Sequence, residues 1–159
     1  MDIKVRSVQK ADYDAVAGIM DQVQEMHVHW RPDIYRSNKN LISADAFEKM
    51  AEGDTFYVGE ADGRVVGVLG LVFRHVESPS HVTRDILFID TMAVEEAYRG
   101  MGVGHAFFEF VQDLAKQKNC DGIELQVNAR NKRAYEMYKK CGFREKSINM
   151  ELDSRRDAE

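Results

Sequence analysis

Cysteine, proline and tryptophan are scarce in this chain, with two, two and one among 159 residues. Cys120 and Cys141 form no Cys-x-x-Cys pair and are too few for a disulfide framework, so free thiols in a reducing cytoplasm are expected. No two Cys or His residues have finger-like spacing, so no metal is expected. No apolar run approaches the ~20 residues of a membrane span. The segment Met1-Asp2-Ile3-Lys4-Val5 lacks an apolar signal region. The expectation is a cytoplasmic protein with no membrane partner. Positive charge is also short: 22 Lys and Arg against 27 Asp and Glu leave a formal charge of −5. That sign disfavours nucleic acid as a partner, because such binding needs basic surface. It does not forbid a local basic pocket.

What is present is the composition of a globular domain, 44% apolar and 31% charged. No repeat, linker or low-complexity tract divides the chain. The expected organisation is one domain over 1–154 and a charged tail over 155–159. Alternation predicts a strand over Ile3–Val8. Val16, Ile19, Met20, Val23 and Met26 predict a helix over Asp12–His27, with Pro32 ending any continuation. A short helix is expected from Ser43 to Ala51. Thr55–Glu60 and Val65–Phe73 read as a hairpin closed at Ala61-Asp62-Gly63-Arg64. Residues Arg74–Arg84 read as a polar connection, and Asp85–Val94 as a buried strand. A helix over Gly102–Lys118 carries the stripe Val103, Ala106, Phe107, Phe110, Val111 and Leu114. A strand over Gly122–Asn128 and a helix over Asn131–Lys140 follow. That helix closes at Cys141-Gly142-Phe143, where glycine takes a left-handed cap. A last strand is expected over Ser147–Leu152. The order implies an α/β protein with a sheet of mixed direction, covered by helices.

The most informative stretch is Val94-Glu95-Glu96-Ala97-Tyr98-Arg99-Gly100-Met101-Gly102-Val103-Gly104. It joins a buried strand to an amphipathic helix, and three alternating glycines open that helix at a cost in helix propensity. Bare backbone N–H groups at a helix N-terminus, with Arg99 beside them, suit a phosphate. The competing reading is a turn kept for tight helix–strand packing. No Lys-Ser/Thr pair follows, which excludes a Walker loop, and the glycine spacing fails the dinucleotide fingerprint.

Arg99, Gly102 and Gly104 do satisfy Arg-x-x-Gly-x-Gly. The segment Asn131 to Phe143 satisfies Asn-x-x-Ala-x-x-x-Tyr-x-x-x-Gly-Phe. With the strand Ile89–Val94 ahead of them, these two patterns resemble the Gcn5-related N-acetyltransferase (GNAT) superfamily. The resemblance implies a mixed, mostly antiparallel central sheet with helices on both faces. It implies acetyl-coenzyme A as co-substrate and acetyl transfer to an amine by direct attack. It assigns the pyrophosphate to the turn Arg99, Gly100, Met101, Gly102, Val103 and Gly104. The pantetheine arm goes to the backbone of Met92, Ala93 and Val94, where the fourth strand splays from the fifth. Asn131 and Ala134 are implied as further cofactor contacts, Asn131 also being a natural helix N-cap.

Alkyl amines are protonated near neutrality, with a pKa of about 10.4 for a lysine-like group, so a general base is useful. Tyr138 occupies the family's general-acid position and also contacts the cofactor. Tyr135 is the weaker candidate on the helical wheel. Asp90 is the candidate base, because a carboxylate in an apolar strand is costly unless used or paired. Members that acetylate ribosomal-protein termini use a glutamate where this chain has Gln126, and Glu124 is a fallback.

The segment Glu25–Arg36 supplies His27, Trp30 and Tyr35 as candidate walls for the acceptor, a small-molecule or peptide amine. Only residues 144–152 remain after Gly-Phe for regular structure, one strand rather than two. A more open cleft, or one completed by a second subunit in a homodimer, is therefore expected. The alternative to an enzyme is a non-catalytic acyl-coenzyme A sensor.

Overall fold

The computed structural model describes residues 1–154, so the expected tail at 155–159 lies outside the described residues. The chain resolves into two compact units, Met1–Gln126 and a second beginning at Val127. The first holds β1 (Ile3–Ser7), α1 (Tyr13–Trp30), α2 (Ala44–Glu52), β2 (Phe56–Ala61), β3 (Arg64–Ser78), β4 (His81–Val94), α3 (Val103–Gln117) and β5 (Gly122–Leu125). The second holds α4 (Lys132–Lys140).

The sheet order is β1-β2-β3-β4-β5. The first three pairings are antiparallel and β4–β5 is parallel. This is the mixed, mostly antiparallel sheet that the resemblance implies. The β2–β3 turn closes on Asp62 and Gly63, both left-handed, as a two-residue hairpin requires.

Alternation along the strands sends neighbours to opposite faces. Val58, Val68 and Ala93 point to one face, where Val16 and Ile19 of α1 and Phe47 of α2 join them in a buried cluster. Gly59 and Gly67 point to the other. There Phe107 and Val103 of α3 press against the bare backbone. Helices thus cover both faces of the sheet.

Four expectations need correction. The connection over Arg74–Arg84 is instead strand almost throughout. β3 and β4 continue as a ribbon to Ser78↔His81. Its polar residues satisfy one another: His75 Nδ1 lies 2.7 Å from Asp85 Oδ1, and the Arg74 guanidinium lies 3.6 Å from the Phe88 ring centre. A ribbon wet on both faces lacks the apolar alternation that marks a strand in sequence.

The fifth strand is shorter than expected, ending at Leu125. The last strand, expected over Ser147–Leu152, does not form among the described residues. Its alternation is real, but Ile148, Met150 and Leu152 are 79%, 88% and 94% exposed. The first helix also runs three residues further than expected, making Trp30 its last residue rather than part of a loop.

In the second unit, Asn131 caps α4 by accepting from the Ala134 N–H at 3.2 Å. The helix ends in a Schellman motif: the Phe143 N–H donates to Tyr138 O and the Gly142 N–H to Lys139 O. Gly142 takes φ +101°, and the Tyr138 and Phe143 rings meet edge-on at 5.6 Å.

Candidate cofactor and acceptor site

The glycine turn is tied down at its start. The Glu95 N–H donates to Val66 O of β3 at 2.9 Å. The Glu96 N–H donates to Gln22 Oε1 of α1 at 3.1 Å. The Arg99 side chain turns back, its Nε donating to Val94 O at 3.2 Å. Arg99 therefore braces the end of β4 as well as adding positive charge to the turn.

Gly100 and Gly102 have φ of +78° and +93°, a backbone other residues adopt only with strain. Gly102 is the N-cap of α3. It has no side chain to accept from the first-turn N–H groups, and no acidic residue lies in that turn. The helix N-terminus is left bare of side-chain acceptors, with the polarity that suits an anion.

Leading into the turn, β4 has an open edge. Its ladder with β5 runs only from Ile86↔Gly122 to Ile89↔Leu125. Residues Thr91–Val94 still pair with β3 on the other side. Beyond Ile89 the β4 ladder with β5 has ended, the local geometry beside which a strand-like ligand could pair.

Asp90 occupies a β-bulge. Gly70 faces Thr91 and Leu71 faces Ile89, leaving Asp90 as the extra residue. A bulge re-aims the side chain it carries, so the simple two-residue alternation from Met92 does not govern Asp90. The residue is exposed. It has no ion-pair partner among the described residues, and being exposed it bears no burial cost, so the argument from a costly carboxylate in an apolar strand does not apply to it. Glu124, the fallback, stands 3.7 Å from Arg84 Nη1.

An open cleft of about 580 Å³ lies between α1 and the turn. Trp30, His29, Glu25 and Asp21 line it from the helix, and Glu96 and Arg99 from the turn. Of the three aromatic candidates for the acceptor wall, Trp30 alone reaches this cleft. His27 packs between Trp30 at 5.4 Å and Tyr35 at 4.9 Å, and its Nδ1 lies 2.8 Å from Val23 O. His27 and Tyr35 are thus the backing that fixes Trp30. Sequence reasoning missed Asp21, Gln22, Glu25 and His29. The signal was present, since these residues recur at helical spacing beside the apolar stripe of α1.

In the second unit the two tyrosines of α4 differ in their engagement. The Tyr135 hydroxyl donates to Glu145, which pushes the tyrosine pKa up and the Glu145 carboxyl down to about 2. The Tyr138 hydroxyl is pushed up by burial first and by Cys141 second, so it keeps its proton through the neutral range. Cys120 and Cys141 are both free thiols. Among the described residues no group of three or more His, Cys, Asp or Glu could hold a metal, and no helix is long and apolar enough to cross a membrane.

Comparison with known proteins establishes the family. Residues 21–143 match the acetyltransferase (GNAT) family, and the chain belongs to it. A mutant of the BH1408 protein from Bacillus halodurans shares the fold with a TM-score of 0.84 and 31% identity, over 94% of this chain and 98% of that one. Streptothricin acetyltransferase of Escherichia coli is 33% identical over 66% of this chain and 54% of its own length. A putative [ribosomal protein bS18]-alanine N-acetyltransferase of Bacillus subtilis is 28% identical over 74% of this chain and 81% of its own. The chain spans about half the length of the first curated relatives it matches.

Proposed function

We propose that this protein transfers an acetyl group from acetyl-coenzyme A to the primary amine of a small molecule or peptide, by direct attack in a ternary complex. The observation that carries this reading is the pairing of an uncapped α3 N-terminus with the open edge of β4, at the two ends of one short turn. The residues present fit the co-substrate. Gly100, Met101, Gly102, Val103 and Gly104 would hold the pyrophosphate through backbone N–H groups, with Arg99 adding positive charge. The backbone of Met92, Ala93 and Val94 would pair with the amides of the pantetheine arm. Asn131 and Ala134 are assigned to the cofactor on the family pattern alone, since the Asn131 side chain and the Ala134 N–H already bond to each other.

When bound, acetyl-coenzyme A supplies an activated thioester carbonyl. The chain's own task is to manage protons around it. A cationic amine must lose a proton before it can attack. Asp90, exposed and without an ion pair, is assigned as the acceptor of that proton, directly or through water. Tyr138, held protonated by burial, is assigned as the donor to the departing sulfur. The cleft beside Trp30 is lined by the carboxylates Asp21, Glu25 and Glu96 and by the cations Lys39 and Arg99, a three-to-two acidic balance that suits an acceptor arriving positively charged.

The test is turnover. Acetyl-coenzyme A is incubated with a panel of amines, free thiol is followed, and acetylated products are identified by mass. Thiol release dependent on an amine is expected. Coenzyme A binding without turnover on any amine would indicate a sensor instead. No thermal shift with coenzyme A would remove the cofactor assignment itself.

A further inference from the structure

The cleft beside Trp30 holds charges of both signs that do not neutralise one another. Asp21, Glu25 and Glu96 line it together with Lys39 and Arg99, in one cavity of about 580 Å³. Among the described residues none of these five makes an ion pair. Other bonds hold some of them apart. The Arg99 Nε is drawn to Val94 O at 3.2 Å. The Glu25 carboxylate accepts from Ser37 Oγ at 3.2 Å.

The two cations come from different elements. Arg99 belongs to the turn, which docks on α1 where the Glu96 N–H donates to Gln22 Oε1. Lys39 belongs to the segment after α1. That segment is fastened at Ser37 by Glu25, and at Arg36, whose carbonyl accepts from Gln24 Nε2 at 2.9 Å. Arg99 is engaged with β4, whereas Lys39 is exposed and has no hydrogen bond or ion pair among the described residues. Lys39 is therefore the cation of the cleft that a ligand can claim. A few fixed polar groups of this kind set the specificity of a binding cleft.

We propose that the acceptor is an amino acid or short peptide that keeps a free carboxylate beside its cationic groups, and that Lys39 selects it. This rests on the transferase reading of the cleft given above. The Lys39 ammonium holds the carboxylate. Asp21 and Glu25 take a cationic group of the same molecule. Its carbon chain lies along Trp30, which His27 and Tyr35 back. A simple amine without a carboxylate meets Lys39 only as a like charge, so selection has a repulsive arm as well as an attractive one.

Trp30 is the only tryptophan in the chain, so intrinsic tryptophan fluorescence reports occupancy of the cleft without turnover. The full chain is titrated with pairs of ligands that differ by one carboxylate: L-lysine against cadaverine, L-arginine against agmatine, and the dipeptide lysyl-alanine against its C-terminal amide. In at least one pair the carboxylate member is expected to bind at least about 10-fold tighter, the scale of one hydrogen bond to a charged group. In the thiol-release assay kcat/KM is expected to follow the same order. Lys39→Gln is expected to abolish the difference, Lys39→Glu to reverse it and Lys39→Arg to keep most of it, with coenzyme A affinity as in the wild type. Equal responses, or none, to both members of every pair overturn the proposal. A carboxylate preference that survives Lys39→Glu overturns it too. Thiol release with no amine at all would instead remove the transferase reading, and the proposal with it.

Discussion

A Cβ atom placed on Gly67 would lie 2.8 Å from the ring of Phe107 and 2.9 Å from Val103. Gly59, its partner across the β2–β3 ladder, meets the same ring at 3.1 Å. The paired glycines strip one patch of the sheet to backbone. Phe107 and Val103, both fully buried, settle into it. Since Val103 is the first residue of α3, this contact sets the position of the helix N-terminus that the proposed cofactor needs.

Gly67→Ala should therefore act on stability and on cofactor affinity together. Overpacking of this kind costs about 1–3 kcal/mol. Urea denaturation should show that loss, and coenzyme A titration should show weaker binding. Trimming the ring with Phe107→Leu in the Gly67→Ala background should recover part of the stability. Full stability in the single variant would mean that α3 does not seat as tightly as described.

Asp90→Asn should lower the acetyl-transfer rate most at neutral pH, where the amine is still protonated and needs a base. The deficit should shrink at high pH, where the amine deprotonates unaided, because a lysine-like amine has a pKa of about 10.4. The pH–rate profile is the measurement. A profile parallel to the wild type at every pH would remove Asp90 from the mechanism.

Tyr138→Phe should reduce kcat by about 10²-fold, the usual scale of a general acid, while coenzyme A affinity changes little. Tyr135→Phe removes a hydroxyl that donates to Glu145 rather than one assigned to chemistry, and it should leave kcat near wild type. Equal losses in the two variants would point to helix stability rather than proton donation.

Arg6→Ala should cost about 3 kcal/mol at pH 7, because it leaves the buried Asp12 carboxylate with too few partners. Arg6 Nη1 and Nη2 donate to Asp12 at 2.8 and 3.0 Å, and its Nε donates to Glu60 at 2.7 Å. Burial pushes the Asp12 pKa up, but the Arg6 hydrogen bonds and the Gln9 N–H outweigh it, so the net shift is downward. A lowered carboxylate pKa stabilises the fold above the unfolded value of about 3.9, and that contribution fades as pH falls through the folded value. The difference between wild type and Arg6→Ala should accordingly narrow from pH 7 to pH 3 in urea melts. A constant difference would contradict the assignment.

Patterns set by near neighbours were legible in the sequence. The stripe Val103, Phe107 and Val111 appears as the buried face of α3. Gly142-Phe143 appears as the Schellman end of α4, with the Phe143 ring against Tyr138. Both depend on residues three to five positions apart, so reading along the chain is enough. The bare helix N-terminus at Gly102 was legible for the same reason.

What depends on distant partners had to await the tertiary structure. The bulge at Asp90 exists because Gly70 and Leu71 take Thr91 and Ile89 as opposites, a register no local window contains. The ribbon through Arg74–Arg84 is held by cross-strand pairs such as His75–Asp85 rather than by alternation. Trp30 reaches the cleft because His27 and Tyr35 back it, and Asp21 and Glu25 join it because the turn after β4 docks against α1 through Gln22. Ser147–Leu152 has every local mark of a strand and forms none among the described residues, because a ladder requires a second backbone. The sequence by itself determined the helices, their caps and the glycine turn, since those hydrogen bonds close within a few residues. Sheet register, the bulge and the cleft were decided only in three dimensions, where the partners lie tens of residues away.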